Sequence, residues 1–261
     1  LPSLIEFSPA MVEEGLKAVV YLCSRDSLEK RISGELGDRR TLDGWVSKTL
    51  AGGSHTGGVK SPGRRYDLMA VSRGPVLHLS AGNVFVGAVD SLVSGIVTKN
   101  ANLLKMSHAD PLFPILFVES LRECDPEGIV WPNQAILLWK GGDRSVEGPL
   151  LGSDLTIVFW GGRDALSSVK SQVDPGSRLI ENGPRYSFAI ADGDMLRASI
   201  DDCRIEGLAR DLCMWDQQAC SSPHVVYVID KDNETLFSLM DRLVEPLKRL
   251  ASTLPLGPLG F

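Results

Sequence analysis

Histidine is scarce in this chain, four in 261 residues, and none of its five cysteines stands in a C-x-x-C pair. A structural zinc site is therefore not expected, and no metal is assigned. The cysteines at 23, 124, 203, 213 and 220 are odd in number and irregularly spaced, in a chain large enough to need no staples. Reduced thiols are the expectation. No apolar run reaches the length of a membrane-spanning helix, and the first residues lack a basic segment followed by an apolar stretch, so the chain reads as cytoplasmic. Basic clusters are missing too. With a formal net charge of −6, nucleic acid is not an expected partner. No internal repeat is present, and no G-x-G-x-x-G.

What is present is an alternation of apolar, β-rich runs with helical patterns. "VLHLSA" (76–81), "NLLKMS" (102–107), "AILLWK" (135–140) and "LTIVFW" (155–160) read as strands. Between and after them, 87–100, 111–124 (entered through Pro111) and 163–173 read as helices, with a short helical or irregular piece after 140. Near-continuously apolar strands separated by helices imply a parallel sheet covered on both faces. Right-handed crossovers make it an α/β, Rossmann-like doubly wound sheet, with ligands at the carboxyl ends of its strands.

The flanks differ. Residues 1–70 read as a helical segment, with "MVEEGLKAVVYLCSRDSLEKRISGEL" as its core, followed by a Gly-rich connection, "AGGSHTGGVKSPGRR", expected to be mobile. Residues 71–183 form the sheet domain. Residues 184–261 look like the beginning of a second α/β domain: a helical region at about 194–213, a strand at 224–229 and a helix at 234–252. The tail "TLPLGPLGF" is expected to fray.

Several residues at strand-to-helix junctions could carry chemistry. Asn83 in "LSAGNVF" can donate to a developing oxyanion, or simply cap the next helix. Lys105 in "LLKMSHADP" can bind ribose hydroxyls or phosphate, or be a solvated strand-end lysine. Gly161 and Gly162 let backbone N–H groups approach a pyrophosphate, or form a plain helix-entry turn. Glu181 in "RLIENGPRY" is a general base or a surface carboxylate. Cys220 in "MWDQQACSSPHVVYV" is a buried hydrophobe, a metal ligand or a nucleophile.

Taken in order, Asn, Lys, Gly-Gly, Glu and Cys resemble the series of the aldehyde dehydrogenase superfamily. "HLSAGNVFVGAVDSLVSGIVTKNANLLKMSHADP" is similar to its asparagine, helix and cofactor-lysine segment. "DQQACSSP" and "ENGPRYSF" resemble one branch more closely, the LuxC-type acyl-CoA (fatty-acid) reductases of bacterial bioluminescence. The resemblance covers roughly residues 70 to 230.

That resemblance implies roles. Cys220 would be the nucleophile that takes the acyl group from an acyl-CoA or an acyl carrier. Asn83 and the Cys220 backbone N–H would hold the oxyanion, a donor of this kind contributing about 3–4 kcal/mol to the barrier. Glu181 would be the general base. Lys105, Ser107, His108, Gly161 and Gly162 would bind the cofactor. His108 stands where NAD-preferring relatives often carry Glu, which favours NADPH by removing repulsion against a 2′-phosphate. Trp160 replaces a small residue common in dehydrogenases and alters the nicotinamide's surroundings. A protein that transfers or activates acyl groups is an implied partner, and the full-length protein is expected to be a homo-oligomer. Family members run well past the nucleophile, whereas 41 residues follow Cys220 here, so the chain reads as a fragment or as a relative with a different ending. The rivals are a Cys–His hydrolase or acyltransferase using His224, and a non-catalytic acyl- or nucleotide-binding module.

Overall fold

The computed structural model describes residues 5–50, 64–197, 202–230 and 233–258. Of the connection expected to be mobile, 51–65, residues 51–63 lie outside these, and Arg64 and Arg65 belong to a strand. Helix α1 spans Pro9–Leu22 and α2 spans Arg25–Leu36. The helical segment breaks at Ser24, whose hydroxyl accepts from Ser27 N to cap α2, as the Ser8 hydroxyl accepts from Met11 N to cap α1. Gly37 ends α2 at φ 72°, a left-handed turn that favours glycine. The first 70 residues also contain strands, which the helical reading passed over. Strands β1 (Val46–Leu50) and β2 (Arg64–Leu68) pair antiparallel.

The sheet domain follows in chain order: β3 (Val76–Leu79), α3 (Val86–Val97), β4 (Asn102–Lys105), α4 (Phe113–Cys124), β5 (Gln134–Leu137), α5 (Arg144–Leu151), β6 (Thr156–Trp160), α6 (Arg163–Lys170) and β7 (Arg178–Asn182). Its five strands are all parallel in the order β5-β4-β3-β6-β7. This is the expected doubly wound sheet. The strand order reverses between β3 and β6, so the crevice outside their carboxyl ends is where this architecture binds ligands. One face carries Leu77, Leu79, Ile157 and Phe159 against Leu151 and Val169 of α5 and α6. On the other, α3 and α4 bury Phe85, Val89, Leu92 and Phe113 with Met11 and Val12 of α1.

Beyond β7 come β8 (Ser187–Asp192), α7 (Gly193–Arg197), α8 (Asp202–Cys213), β9 (Pro223–Ile229) and α9 (Glu234–Thr253). The helical region expected at 194–213 is thus two elements, with 198–201 outside the described residues. β8 and β9 pair parallel; their inner face packs on Ile205, Ala209, Leu239 and Leu243, while Phe188, Ile190, Tyr227 and Ile229 are exposed on the outer one. The tail is not frayed as far as it is described. Leu254 is buried, and Gly257 N donates to Asp216 Oδ2.

One close approach fixes the join between α1 and the sheet domain. A Cβ on Gly15 would stand 2.3 Å from Phe85 Cζ and 3.1 Å from the Trp215 ring, in a region where Phe85 is 1% exposed. Gly15→Ala is therefore expected to destabilise the fold by about 1–3 kcal/mol through overpacking. Gly34→Ala, on the exposed face of α2 with open space at its Cβ, should stabilise by about 0.5–1 kcal/mol. Urea unfolding of the two variants beside the parent checks both signs.

Candidate active site

The segment bearing Cys220 is folded back onto the carboxyl edge of the sheet. Trp215, Asp216 and Gln217 adopt left-handed backbone angles in succession, φ 60°, 49° and 59°. Such residues cost of order 1–3 kcal/mol each and persist only where surrounding contacts hold them. Here the Trp215 ring meets Phe7 and Phe85 edge-on, each at 5.9 Å, and Phe85 meets Phe113 at 4.8 Å. The buried Ser222 hydroxyl donates to Met214 O at 3.0 Å, closing the loop around the cysteine. Ser187 Oγ donates to Cys220 O at 2.6 Å. The Cys220 thiol itself is exposed, which sets aside the buried-hydrophobe reading.

Asn83 meets this segment directly. It lies in the loop after β3, and its Nδ2 donates to Gln218 O at 2.6 Å across 135 residues of sequence. A cleft of about 490 Å³ opens there, lined by Asn83, Trp160, Tyr186, Cys220 and His224 among others. A second cavity of about 590 Å³ adjoins it, with Ala81, Trp160, Gly161 and Gly162 lining both. Lys105 lines the second cavity at the end of β4. Burial lowers the Lys105 ammonium below its ordinary value, and the nearby Glu147 carboxylate opposes that shift. Gly162 is the N-cap of α6 without a side-chain cap, and a Cβ there would meet open space. A half-buried cation beside an uncapped helix start suits a phosphate-bearing ligand, so these residues fit a dinucleotide.

Three of the expected site residues fall elsewhere. Glu181 does not line the Cys220 cleft. Its side chain pairs with Lys170 of α6 at 2.7 Å, and strand alternation turns the next residue, Asn182, toward the cleft instead. Ser107 lines a smaller cavity of about 190 Å³ with Asn83, Phe85 and Gln218, apart from Lys105. His108 is exposed and lines none of the four described cavities. Asp110 N donates to Ser107 O, and this turn carries both residues away from the cavity at Lys105.

The sequence matches the family described as acyl-CoA reductase (LuxC) over residues 1–258. The chain belongs to this LuxC family of acyl-CoA reductases. It is 29% identical over 265 residues to a long-chain acyl-protein thioester reductase of Photobacterium phosphoreum, aligning over 100% of this chain and 49% of the relative. A protein of the same description from Photorhabdus luminescens is 30% identical over 90% of this chain and 45% of its own length. The chain thus spans about half the length of the curated relatives it matches. In fold it resembles an aldehyde dehydrogenase of Brucella melitensis biovar abortus 2308, with a TM-score of 0.60 and 16% identity, over 82% of this chain and 42% of that one. A propionaldehyde dehydrogenase of Clostridium phytofermentans aligns with a TM-score of 0.57 and 14% identity, over 78% and 43%.

Two features of the candidate site were not singled out from sequence. Glu147 is buried, and its Oε1 accepts from Trp139 Nε1 at 3.0 Å and Gly142 N at 3.1 Å, holding the 141–142 turn at the rim of the Lys105 cavity. Its signal was a Glu just inside a helix capped by Asp143 in "GGDRSVE". The second is a buried polar chain across the sheet. Trp160 Nε1 donates to Ser91 Oγ at 3.3 Å, Ser91 Oγ meets His78 Nδ1 at 2.7 Å, and His78 Nε2 meets Asn102 Oδ1 at 2.9 Å. Asn102 Nδ2 continues it to Gln134 Oε1 at 2.9 Å. A neutral His78 protonated on Nε2 satisfies every member, since Asn102 Oδ1 can only accept. Among the described residues no group of three or more His, Cys, Asp or Glu could hold a metal, and no helix is long and apolar enough to cross a membrane.

His78 gives the site a pH signature. Burial lowers its imidazole below the ordinary 6.5, with the Asn102 hydrogen bond opposing. The unfolded chain therefore takes up this proton first as pH falls. The contribution to stability is complete above pH 6.5 and declines as pH drops from there toward the lower folded value. Urea midpoints measured between pH 7.5 and 5 should fall with acidification, and His78→Gln should flatten that slope.

Proposed function

We propose that this chain carries the acyl-accepting and cofactor-binding parts of a nicotinamide-dependent acyl thioester reductase. Residues 71–183 are read as the cofactor domain, and 184–261 as the part that supplies the nucleophile. The observation that carries the reading is the adjacency of two cavities at the switch point, one holding Cys220 beside Asn83 and the other holding Lys105 beside the Gly161–Gly162 turn.

In this reading the substrate is a fatty acyl thioester of coenzyme A or of a carrier protein; the relatives are named for acyl-protein thioesters. Cys220 Sγ bonds to the acyl carbon, the carbon–sulfur bond to the carrier breaks, and the carrier leaves as a thiol. The proton it takes is the one Cys220 gives up. The Asn83 amide, which has a second N–H beyond the one bonded to Gln218, steadies the tetrahedral oxyanion. When bound, a nicotinamide cofactor would supply hydride to the acyl carbon; the carbon–sulfur bond to Cys220 would then break, leaving an aldehyde and a Cys220 thiolate that takes a proton from water.

Lys105 and the free N–H groups at the start of α6 bind the cofactor's ribose and pyrophosphate. Lys105 is the group that favours NADPH, since it can meet a 2′-phosphate; His108, exposed and outside the cavity, does not add to that preference. Glu181 has no part in this mechanism. A general base aimed at water would hydrolyse the acyl-enzyme, and its absence from the cleft suits a reductase. The Cys–His hydrolase reading gains little, because His224 packs edge-on to Tyr186 at 6.3 Å and no hydrogen bond joins it to Cys220 among the described residues.

The test is acylation without nicotinamide. Incubation with tetradecanoyl-CoA should add one acyl mass, mapped by peptide mass spectrometry to Cys220. Cys220→Ala should abolish it. Cys213→Ala should retain it, since burial raises the Cys213 thiol and keeps it protonated. Acyl mass on Cys213, or persisting labelling of Cys220→Ala, defeats the assignment; steady release of free fatty acid points to a hydrolase.

A further inference from the structure

Beyond Trp160 the Cys220 cleft meets another cavity, on the α3 side of the sheet. Trp160 and Asn182 line both, and the volume beyond them is about 690 Å³. The period of two along β3, β6 and β7 places Val76, Val158, Trp160 and Ile180 on its floor, with Leu36 and Leu42 also lining it. The lining is mixed, since Glu35, Arg73, Asp90 and Arg178 border it and His78, Thr156 and Asn182 share the floor, but apolar atoms make up the larger part of its surface. Asp90 is paired with Arg31 at 2.5 Å, and Arg73 and Arg178 are exposed residues. The Lys105 cavity instead includes Phe159 and Val169 of the core on the α6 side. A cofactor at Lys105 and an apolar ligand beyond Trp160 would thus reach Cys220 from opposite faces of one sheet.

We propose that this cavity seats the hydrocarbon chain of the acyl substrate, with Trp160 as the wall the chain passes on its way from Cys220. The proposal rests on the thioester-reductase reading above and adds where the chain lies. The wall is tied to the core, its indole N–H donating to Ser91 and Ser91 meeting the buried His78. α3 presents Ser91, Ser94 and Gly95 beside the floor, with Asp90 drawn into its pair with Arg31, which leaves width for a methylene chain. Burying each added methylene in such a seat strengthens binding by about threefold to fourfold until the cavity is filled.

Equilibrium binding of cis-parinaric acid, a fluorescent fatty acid, tests the seat without requiring catalysis. The parent chain should bind it, tetradecanoate should displace it more tightly than octanoate, and Cys220→Ala should bind equally well. Val158→Trp and Ile180→Trp fill the cavity and should each weaken binding by about tenfold or more. Ile180 is 40% exposed, so its variant is expected to fold, and circular dichroism verifies this. Absence of binding by the parent overturns the proposal, as does unchanged affinity in the folded Ile180→Trp chain. So does a loss seen instead in Tyr227→Ser, which would put the fatty acid on the exposed β8–β9 face. Acylation of Cys220 with no dependence on the filled cavity would sink the seat and leave the reductase reading standing; failure of Cys220 to acylate would sink the reading while the binding data still decide the seat.

Discussion

Trp215 is the fastening on which the candidate site depends. Its ring sits against Phe7 and Phe85, and Phe85 against Phe113, so residues from the N-terminal region, the start of α3, the start of α4 and the cysteine segment form one aromatic cluster. Each aromatic pair contributes about 0.5–1.5 kcal/mol beyond the area it buries, enough to offset part of the strain in three successive left-handed residues. The cluster explains why position 15 of α1 must lack a side chain. The tail is tied to the same turn as far as Gly257, whose N–H donates to Oδ2 of Asp216, the middle residue of the strained turn. Without the cluster, Asn83 and Gln218 would have no reason to meet.

The sheet supplies the rest of the geometry. Because all five strands are parallel, the residues that end β3, β4 and β6 emerge on the same edge, and the reversal of strand order leaves room between β3 and β6. The Gly161–Gly162 turn borders both the thiol cleft and the lysine cavity, while Trp160 also borders the cavity on the other face. Polar groups buried beneath are fully used. His78, Ser91, Asn102 and Gln134 run across three strands and end at the Trp160 indole, so the floor of the site is tied to the core of the sheet.

Much of this was legible in the sequence, for physical reasons that also mark where reading fails. Strands such as "VLHL" and "TIVFW" are nearly all apolar because both faces are covered, and that signal is strong. "VSKTL" and "RRYDL" carry no such signal because their hairpin is largely solvent-exposed, and the helical pattern beside them dominated. In β8, Phe188 and Ile190 are apolar yet face outward, so alternation gave no inside and outside to read. Cys220, Asn83 and the glycine pair came together because each ends an element at the same edge. Glu181 stood one position from the cleft and was lost to strand parity, which points it at Lys170. Ser107 and His108 followed Lys105 in sequence, but the turn after Met106 takes them elsewhere.

The central claim is that Trp215 sets Cys220 and Asn83 to act on one acyl carbonyl. A double-mutant cycle on the rate of Cys220 acylation by tetradecanoyl-CoA tests it, with iodoacetamide alkylation as a measure of simple thiol access. Trp215→Ala and Asn83→Ala should each slow acylation by about a hundredfold while alkylation changes little, and the double variant should be scarcely slower than either single one. Additive losses, or a Trp215→Ala chain that acylates at the parent rate, would contradict the account.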